Sequence, residues 1–120
     1  MRDIQRFGTT QRYSNAVVHG RTAYLVEVAD NLEADITGQT ENVLAKIDCL
    51  LGDVGSNKSL LLTATIYLAS MADYADMNMV WDLWVPEGEA PVRACMEVKL
   101  SAPGYRIEIA ATAAIDHIAG

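Results

Sequence analysis

The sequence predicts an α+β fold in which two helices cover one face of a β-sheet, with the elements in the order β-β-β-α-β-α-β-β. In several short segments apolar residues alternate with polar ones, which is typical of strands with one buried face. In two other segments they recur every three or four residues, as in amphipathic helices. Two helices can cover only one face of such a sheet, so we expect the other face to associate with further copies of the chain.

Length and composition indicate a single globular domain over residues 1–120, with residues 117–120 as a flexible tail. The chain is 51% hydrophobic and 21% charged, which is ordinary for a globular protein. Its formal net charge is −7. Nucleic acids and anionic membranes attract basic surfaces, so neither is expected as a partner.

The N-terminal region and the cysteine content indicate a cytoplasmic protein. Residues 1–10 contain no apolar run typical of a signal peptide, and no segment of the sequence has the length of a membrane span. The two cysteines, Cys49 and Cys95, are therefore expected to be free thiols.

Three strands are predicted before the first helix. Residues 4–9 form a weak strand pattern, and residues 15–19 and 22–28 are rich in β-forming side chains. The last two runs are separated by Gly20 and Arg21, which predicts a hairpin with His19 and Gly20 in or beside the turn.

The first helix is the most regular element. Asp35 or Thr37 can cap its N-terminus, and Gly52 is expected to end it. Its apolar positions recur at helical spacing and are Ile36, Val43, Leu44, Ile47, Leu50 and Leu51.

A strand over residues 60–68 follows. Its threonines and Tyr67 are expected on one face, and the apolar face is expected to contain Leu60, Leu62, Ala64, Ile66 and Leu68. The second helix is predicted from Tyr74 to Trp84, with Asp73 as its cap and Asp76 as the second member of a capping pair. Its buried stripe is expected to be Tyr74, Met77, Trp81 and Trp84.

The C-terminal part contains two alternating runs, residues 92–100 and 105–109, separated by a Pro/Gly break. This pattern predicts an antiparallel hairpin. One register would place Glu97 opposite Glu108, and like charges facing each other are destabilising. The preferred register places Cys95 opposite Glu108 and Arg93 one diagonal step away.

The predicted hairpin therefore gathers an arginine, a thiol and a carboxylate in one patch on the face without helices. The same face is expected to contain Thr63, Thr65, Ala110 and Ala114. This face is too apolar for a fully solvated surface and too polar for a monomer core. Functional groups would then lie at subunit boundaries.

Other motifs give little indication of chemistry. The segment 52–59, GDVGSNKS, has no glycine before its lysine and follows a helix, so it does not fit a phosphate-binding loop. His19 and His117 have neither metal-ligand spacing nor a neighbouring nucleophile motif. For Arg93, Cys95 and Glu108 two interpretations are open. They form either an exposed ion pair beside a packed thiol, or a site in which Arg93 holds a carboxylate and Glu108 positions a water molecule.

At these residues the sequence resembles the RidA (YjgF-like) reactive intermediate deaminase family, once widely labelled endoribonuclease L-PSP. The most specific match is the segment 90–98, APVRACMEV, followed by the residues IEI at 107–109. Weaker matches lie in residues 12–17, 39–51 and 63–78, so that the resemblance covers nearly the whole chain.

The resemblance implies a chorismate-mutase-like fold with a mixed six-stranded sheet, and a homotrimer with clefts at the subunit interfaces. It implies hydrolysis of 2-imino or 2-enamino acids, such as 2-aminoacrylate, to 2-keto acids and ammonia, without a metal or organic cofactor. Arg93 would bind the substrate carboxylate and Glu108 would act on the water. Cys95, Tyr13 and Asn78 match further cleft positions.

One segment departs from the family pattern. Deaminases of the family commonly contain Ser-Gly-Gln after the third strand, where this chain has Val26, Glu27 and Val28. Glu27 is expected to crowd the cleft or repel an anionic substrate. The alternative function is thus a non-catalytic trimer that binds small carboxylates or a regulatory partner protein. A ribonuclease is disfavoured because the sequence has no basic stripe.

Overall fold

The computed structural model describes residues 3–116, so the expected tail at 117–120 and His117 lie outside the described residues. The elements follow the predicted order. They are β1 (Ile4–Phe7), β2 (Ala16–His19), β3 (Thr22–Val28), α1 (Ile36–Asp53), β4 (Leu61–Leu68), α2 (Tyr74–Trp84), β5 (Val92–Glu97) and β6 (Ile107–Ala114). Short 3-10 turns at Lys58–Leu60 and Met71–Asp73 precede β4 and α2.

The strands form one mixed six-stranded sheet in the order β1-β2-β3-β6-β4-β5. Strand β4 pairs with β6 in the antiparallel sense and with β5 in the parallel sense. The predicted hairpin between β5 and β6 is therefore wrong, because β4 lies between them. The reason is the β4-α2-β5 crossover, since a helical connection returns the chain to a parallel strand beside the one it left.

The N-terminal hairpin is confirmed. His19 pairs with Thr22, and Gly20 in the turn has φ 64°. A glycine with positive φ at the first turn position matches the right-handed twist of the flanking strands. The pairing continues into the centre of the sheet, where β3 lies against β6 along its whole length.

Helix α1 begins where the sequence predicts and ends slightly later. Asp35 is the cap, and its Oδ1 accepts a hydrogen bond from the Gly38 amide at 2.8 Å. All six predicted apolar positions are buried. Gly52 does not end the helix, which continues to Asp53; the chain turns away at Gly55, whose φ of 83° is unfavourable for other residues.

Two details of the next elements differ from the predictions. A register shift between Leu61 and Thr63 buries Leu61 and leaves Leu62 46% exposed, so Leu60 and Leu62 do not continue the apolar face. In α2, Met77 and Trp81 are buried as predicted.

The start of α2 also differs. Tyr74 is 38% exposed and not part of the buried stripe. Asp73 occupies the N-cap position as predicted, but its side chain makes no capping hydrogen bond. It lies instead 3.5 Å from the Arg106 guanidinium, so the predicted capping pair does not form.

The hydrophobic core lies between the two helices and one face of the sheet. Its largest fully buried members are Leu44, Ile47, Leu51, Ile66, Leu68, Met77, Ile107 and Ile109. Within residues 3–116 no helix is both long enough and apolar enough to cross a lipid bilayer. Strand β5 is an edge strand, and this position determines the surroundings of Arg93.

Candidate functional site

Arg93 and Glu108 lie on opposite faces of the sheet. Residues at matching positions on neighbouring strands point to the same face. Arg93 is level with the buried Ala64, on the helix-covered face, whereas Glu108 is level with Tyr67 on the other face. The prediction that Arg93, Cys95 and Glu108 share one patch is therefore wrong. It depended on a hairpin that β4 interrupts.

The sheet face that no helix covers, called the uncovered face below, has the predicted composition apart from Arg93 and Cys95. Thr63, Thr65, Ala110 and Ala114 alternate with the buried residues of β4 and β6. The hydroxyl oxygens of Thr63 and Thr112 are 2.7 Å apart. In β3, Val26 and Val28 face the same way, with Val28 level with Glu108. Glu108 therefore lies between a valine and a tyrosine on a face that no helix of the chain covers.

Neutral partners hold the Arg93 guanidinium in place. Its Nη1 donates to the Asn78 Oδ1 at 2.9 Å and its Nη2 donates to the Tyr74 hydroxyl at 3.2 Å. The Cζ atom lies 5.4 Å from the centre of the Trp81 ring, within range of a cation–π interaction. Among residues 3–116 no carboxylate lies within 4.0 Å of this side chain. The group is thus a fixed cation that is available to an external anion.

A cavity of about 300 Å³ opens beside this guanidinium. Its lining residues come from α2 and from the start of β5, and they are Asn78, Trp81, Asp82, Ala90, Pro91 and Arg93. Asn78 was a predicted site residue, and the structure brings it to Arg93. Sequence reasoning missed Asp82, Tyr74 and Trp81. A usable signal was the spacing of Asn78 and Asp82, which places them on one side of α2.

Cys95 lies beside Arg93 on the helix-covered face, level with Ile66. Burial raises the pKa of its thiol, and the positive charge of Arg93 only partly offsets this effect. The thiol is therefore protonated at neutral pH. A protonated thiol is a poor nucleophile, so Cys95 supplies packing and a weak hydrogen-bond donor.

Glu27 lies on the helix-covered face, away from Glu108, and is level with Ile109. Its Oε1 is 3.3 Å from the Lys46 Nζ, and the same ammonium lies 2.8 Å from Asp30 and donates to the Val28 carbonyl at 2.7 Å. The charge of Glu27 is therefore matched inside the chain. The valines on either side of Glu27 lie on the same face as Glu108, and Val28 is level with it.

The electrostatics of this cluster are consistent with a stable ion network. The hydrogen bond and charge of Lys46 lower the pKa of Asp30. Burial by itself would lower the pKa of Lys46, but the hydrogen bonds and charges of Asp30 and Glu27 outweigh burial and raise it. Lys46 thus remains charged and fixes the end of β3 to α1.

Tyr13 lies far from Arg93 in the order of the sheet. It is in the loop between β1 and β2, is 58% exposed, and receives a backbone hydrogen bond from Thr10. β1 and β5 are opposite edges of the sheet. A single chain therefore brings together Arg93, Asn78 and Cys95 but not Tyr13 or Glu108. Within residues 3–116 no group of three His, Cys, Asp or Glu side chains is arranged to hold a metal ion.

Comparison with known proteins identifies the family. The family described as endoribonuclease L-PSP matches residues 3–115. The RutC family protein YoaB of Escherichia coli is 46% identical over 112 residues, which cover 93% of this chain and 98% of that relative. A crystal structure of a YjgF-family protein from Neisseria meningitidis superimposes with a TM-score of 0.92 at 46% identity, covering 97% of this chain and 98% of that one.

The chain therefore belongs to the YjgF/RutC family, also described as endoribonuclease L-PSP, and has its fold. A more distant relative, named 3-aminoacrylate deaminase RutC, from Acinetobacter baylyi, is 37% identical over 79 residues, which cover 66% of this chain and 62% of that protein. The family thus includes a protein named as a deaminase.

Proposed function

We propose that this protein hydrolyses reactive 2-imino and 2-enamino acids to 2-keto acids and ammonia. The observation that supports the proposal most directly is the Arg93 guanidinium, which neutral groups hold in a fixed position beside an open cavity. Such a group can bind the carboxylate of a small substrate with two parallel hydrogen bonds. The deaminase named in the family supports the same class of reaction.

The chemistry needs few protein groups. An enamine tautomerises to an imine, whose carbon is electrophilic, so binding and orientation of the substrate already lower the barrier. In the proposed step Glu108 accepts a proton as the water oxygen bonds to that carbon, and the C=N electron pair moves to nitrogen. Return of that proton to nitrogen gives a carbinolamine, which has a hydroxyl and an amino group on the same carbon. Glu108 then transfers the hydroxyl proton to the amino nitrogen, and the C–N bond breaks as the C=O bond forms, releasing ammonia.

A site that uses both Arg93 and Glu108 requires two copies of the chain. The two side chains lie on opposite faces of one sheet, with β4 between their strands. When the uncovered face of one copy meets the β5 edge of the next, Glu108 of one subunit can approach Arg93 of its neighbour. The proposed assembly is a homotrimer with three such clefts.

Association should be measurable directly. We expect light scattering to give a mass near three times 13.0 kDa for the purified chain. Ala110 lies in the middle of the uncovered face, so Ala110→Arg places a charge there and should shift the mass towards that of one chain. Ala45→Arg, on the exposed surface of α1, is the matched control and should leave the assembly intact. A wild-type mass near 13.0 kDa would contradict the trimer.

The function is tested by generating imines from several amino acids with an amino-acid oxidase and following their decay. We expect the protein to accelerate decay of at least one imine above its spontaneous rate. If no imine decays faster, the deaminase proposal fails. Binding of small carboxylates at Arg93 without acceleration would instead support the non-catalytic binder.

A further inference from the structure

One charged residue that lines the cavity beside Arg93 takes no part in the proposed reaction. Asp82 is the only other charged side chain among its lining residues; Asn78, Trp81, Ala90 and Pro91 are neutral. Asp82 and Arg93 thus both line one cavity of about 300 Å³. The two side chains form no ion pair with each other, so their charged atoms are more than 4.0 Å apart.

Helix geometry gives the approximate separation of the two charges. Arg93 is hydrogen-bonded to Asn78, and Asp82 lies four residues later on the same helix. Positions i and i+4 are about one turn apart, or about 6 Å along the axis. A small molecule with a negative group and a positive group on adjacent carbons fits between such charges, because each end meets its opposite.

We propose that Asp82 binds the protonated nitrogen of the substrate while Arg93 binds its carboxylate. The preferred substrate form is then the zwitterionic 2-iminium acid, not the neutral imine with a free carboxylate. This inference rests on the proposed function and specifies the form of its substrate. Protonation makes the C=N carbon more electrophilic, and a neighbouring carboxylate favours the protonated form. Asp82 is therefore a substrate-binding residue.

The arrangement also predicts selectivity against simple anions. A small monoanion would gain the contact with Arg93 but would meet the negative charge of Asp82. Asp82 is exposed, so solvent screens its charge and its contribution to binding should be moderate, about tenfold in affinity. L-alanine and propionate have similar size and the same carboxylate. Since only L-alanine has a cationic nitrogen, the pair isolates the effect of Asp82.

The test compares wild type with Asp82→Asn, which preserves size and removes the charge. We expect wild type to bind L-alanine more tightly than propionate in calorimetric titration. The variant should lose about tenfold in affinity for L-alanine and should bind propionate equally well or better. Asp76→Asn is the control, because Asp76 is on the same helix but lines the groove between α1 and α2. It should change neither affinity.

The results separate this inference from the proposed function. Failure of wild type to prefer L-alanine over propionate, or an equal loss for both ligands in Asp82→Asn, overturns the role of Asp82. If wild type accelerates imine decay but Asp82→Asn has an unchanged KM, the inference also fails and the deaminase proposal stands. If no imine decays faster with wild type, the deaminase proposal fails, and the binding comparison still decides whether Asp82 recognises a cationic nitrogen.

Discussion

Replacing Arg93 with alanine is expected to lower kcat/KM for imine hydrolysis by at least about thirtyfold, because removal of a charge that binds a carboxylate through two hydrogen bonds costs about 2–5 kcal/mol. The loss should be specific to the site. Arg93 is on an edge strand and partly exposed, and its partners Asn78 and Tyr74 are neutral, so its removal leaves no unpaired charge behind.

Arg93→Lys distinguishes geometry from charge. A lysine retains the positive charge but lacks the planar fork that holds a carboxylate in one orientation. We expect partial recovery of substrate binding with a persistently low kcat. The matched control is Arg106→Lys, since Arg106 is also partly exposed but lies 3.5 Å from an acidic partner, Asp73. Activity of Arg93→Ala within threefold of wild type, with an unchanged mass, would exclude Arg93 from the reaction.

The elements could be predicted from sequence because their signals are local. Helix α1 shows apolar residues at helical spacing after a capping aspartate, and the structure buries all six of the predicted positions. Strand β3 has the predicted bounds, since its β-rich run is limited by the glycine turn. Burial of one face of an element depends mainly on its own periodicity, which any single sequence contains.

The neighbours of each strand could not be predicted in the same way. Alternation in β5 and β6 shows that each has two faces, but it does not show which strand lies beside it. Facing charges can distinguish two registers of a hairpin, but they contain no information about a third strand such as β4 that lies between the two. This one error moved Arg93 and Cys95 to the wrong face. Of the predicted site residues, Asn78 and Cys95 nevertheless lie beside Arg93, because the resemblance that suggested them depends on residue type and spacing and not on strand order.

Gln39 was also absent from the predicted core, although its side chain is fully buried in α1. Its Nε2 donates to the carbonyls of Gly104 at 3.0 Å and of Ala34 at 3.2 Å. Its Oε1 accepts from the Arg106 amide at 3.0 Å. A polar residue at this position interrupts the apolar stripe of α1, and the sequence alone does not indicate that its side chain is buried or which groups it contacts. The fold brings the loop before β6 close to Gln39, where the Gly104 carbonyl and the Arg106 amide need hydrogen-bonding partners.

Replacing Gln39 with methionine is therefore expected to lower the free energy of unfolding by about 3 kcal/mol. Methionine has nearly the same length, so it fills the space but leaves the Gly104 carbonyl and the Arg106 amide without their partner. Both hydrogen bonds are part-buried, and an unsatisfied group costs about 1–3 kcal/mol when water cannot replace its partner. Urea denaturation at a fixed protein concentration measures the change. Gln11→Met, at an exposed loop position, should change stability by less than about 0.5 kcal/mol.

The Gln39 variant also tests whether the loop before β6 depends on this single side chain. Three backbone segments meet at Gln39: the start of α1, the loop that precedes it, and the loop between β5 and β6. If water replaced the lost bonds, the loss would be below about 1 kcal/mol and the side chain would not be a structural link. A loss near 3 kcal/mol means that the chain entering β6, and so the position of Glu108, is fixed by a polar residue of the opposite layer.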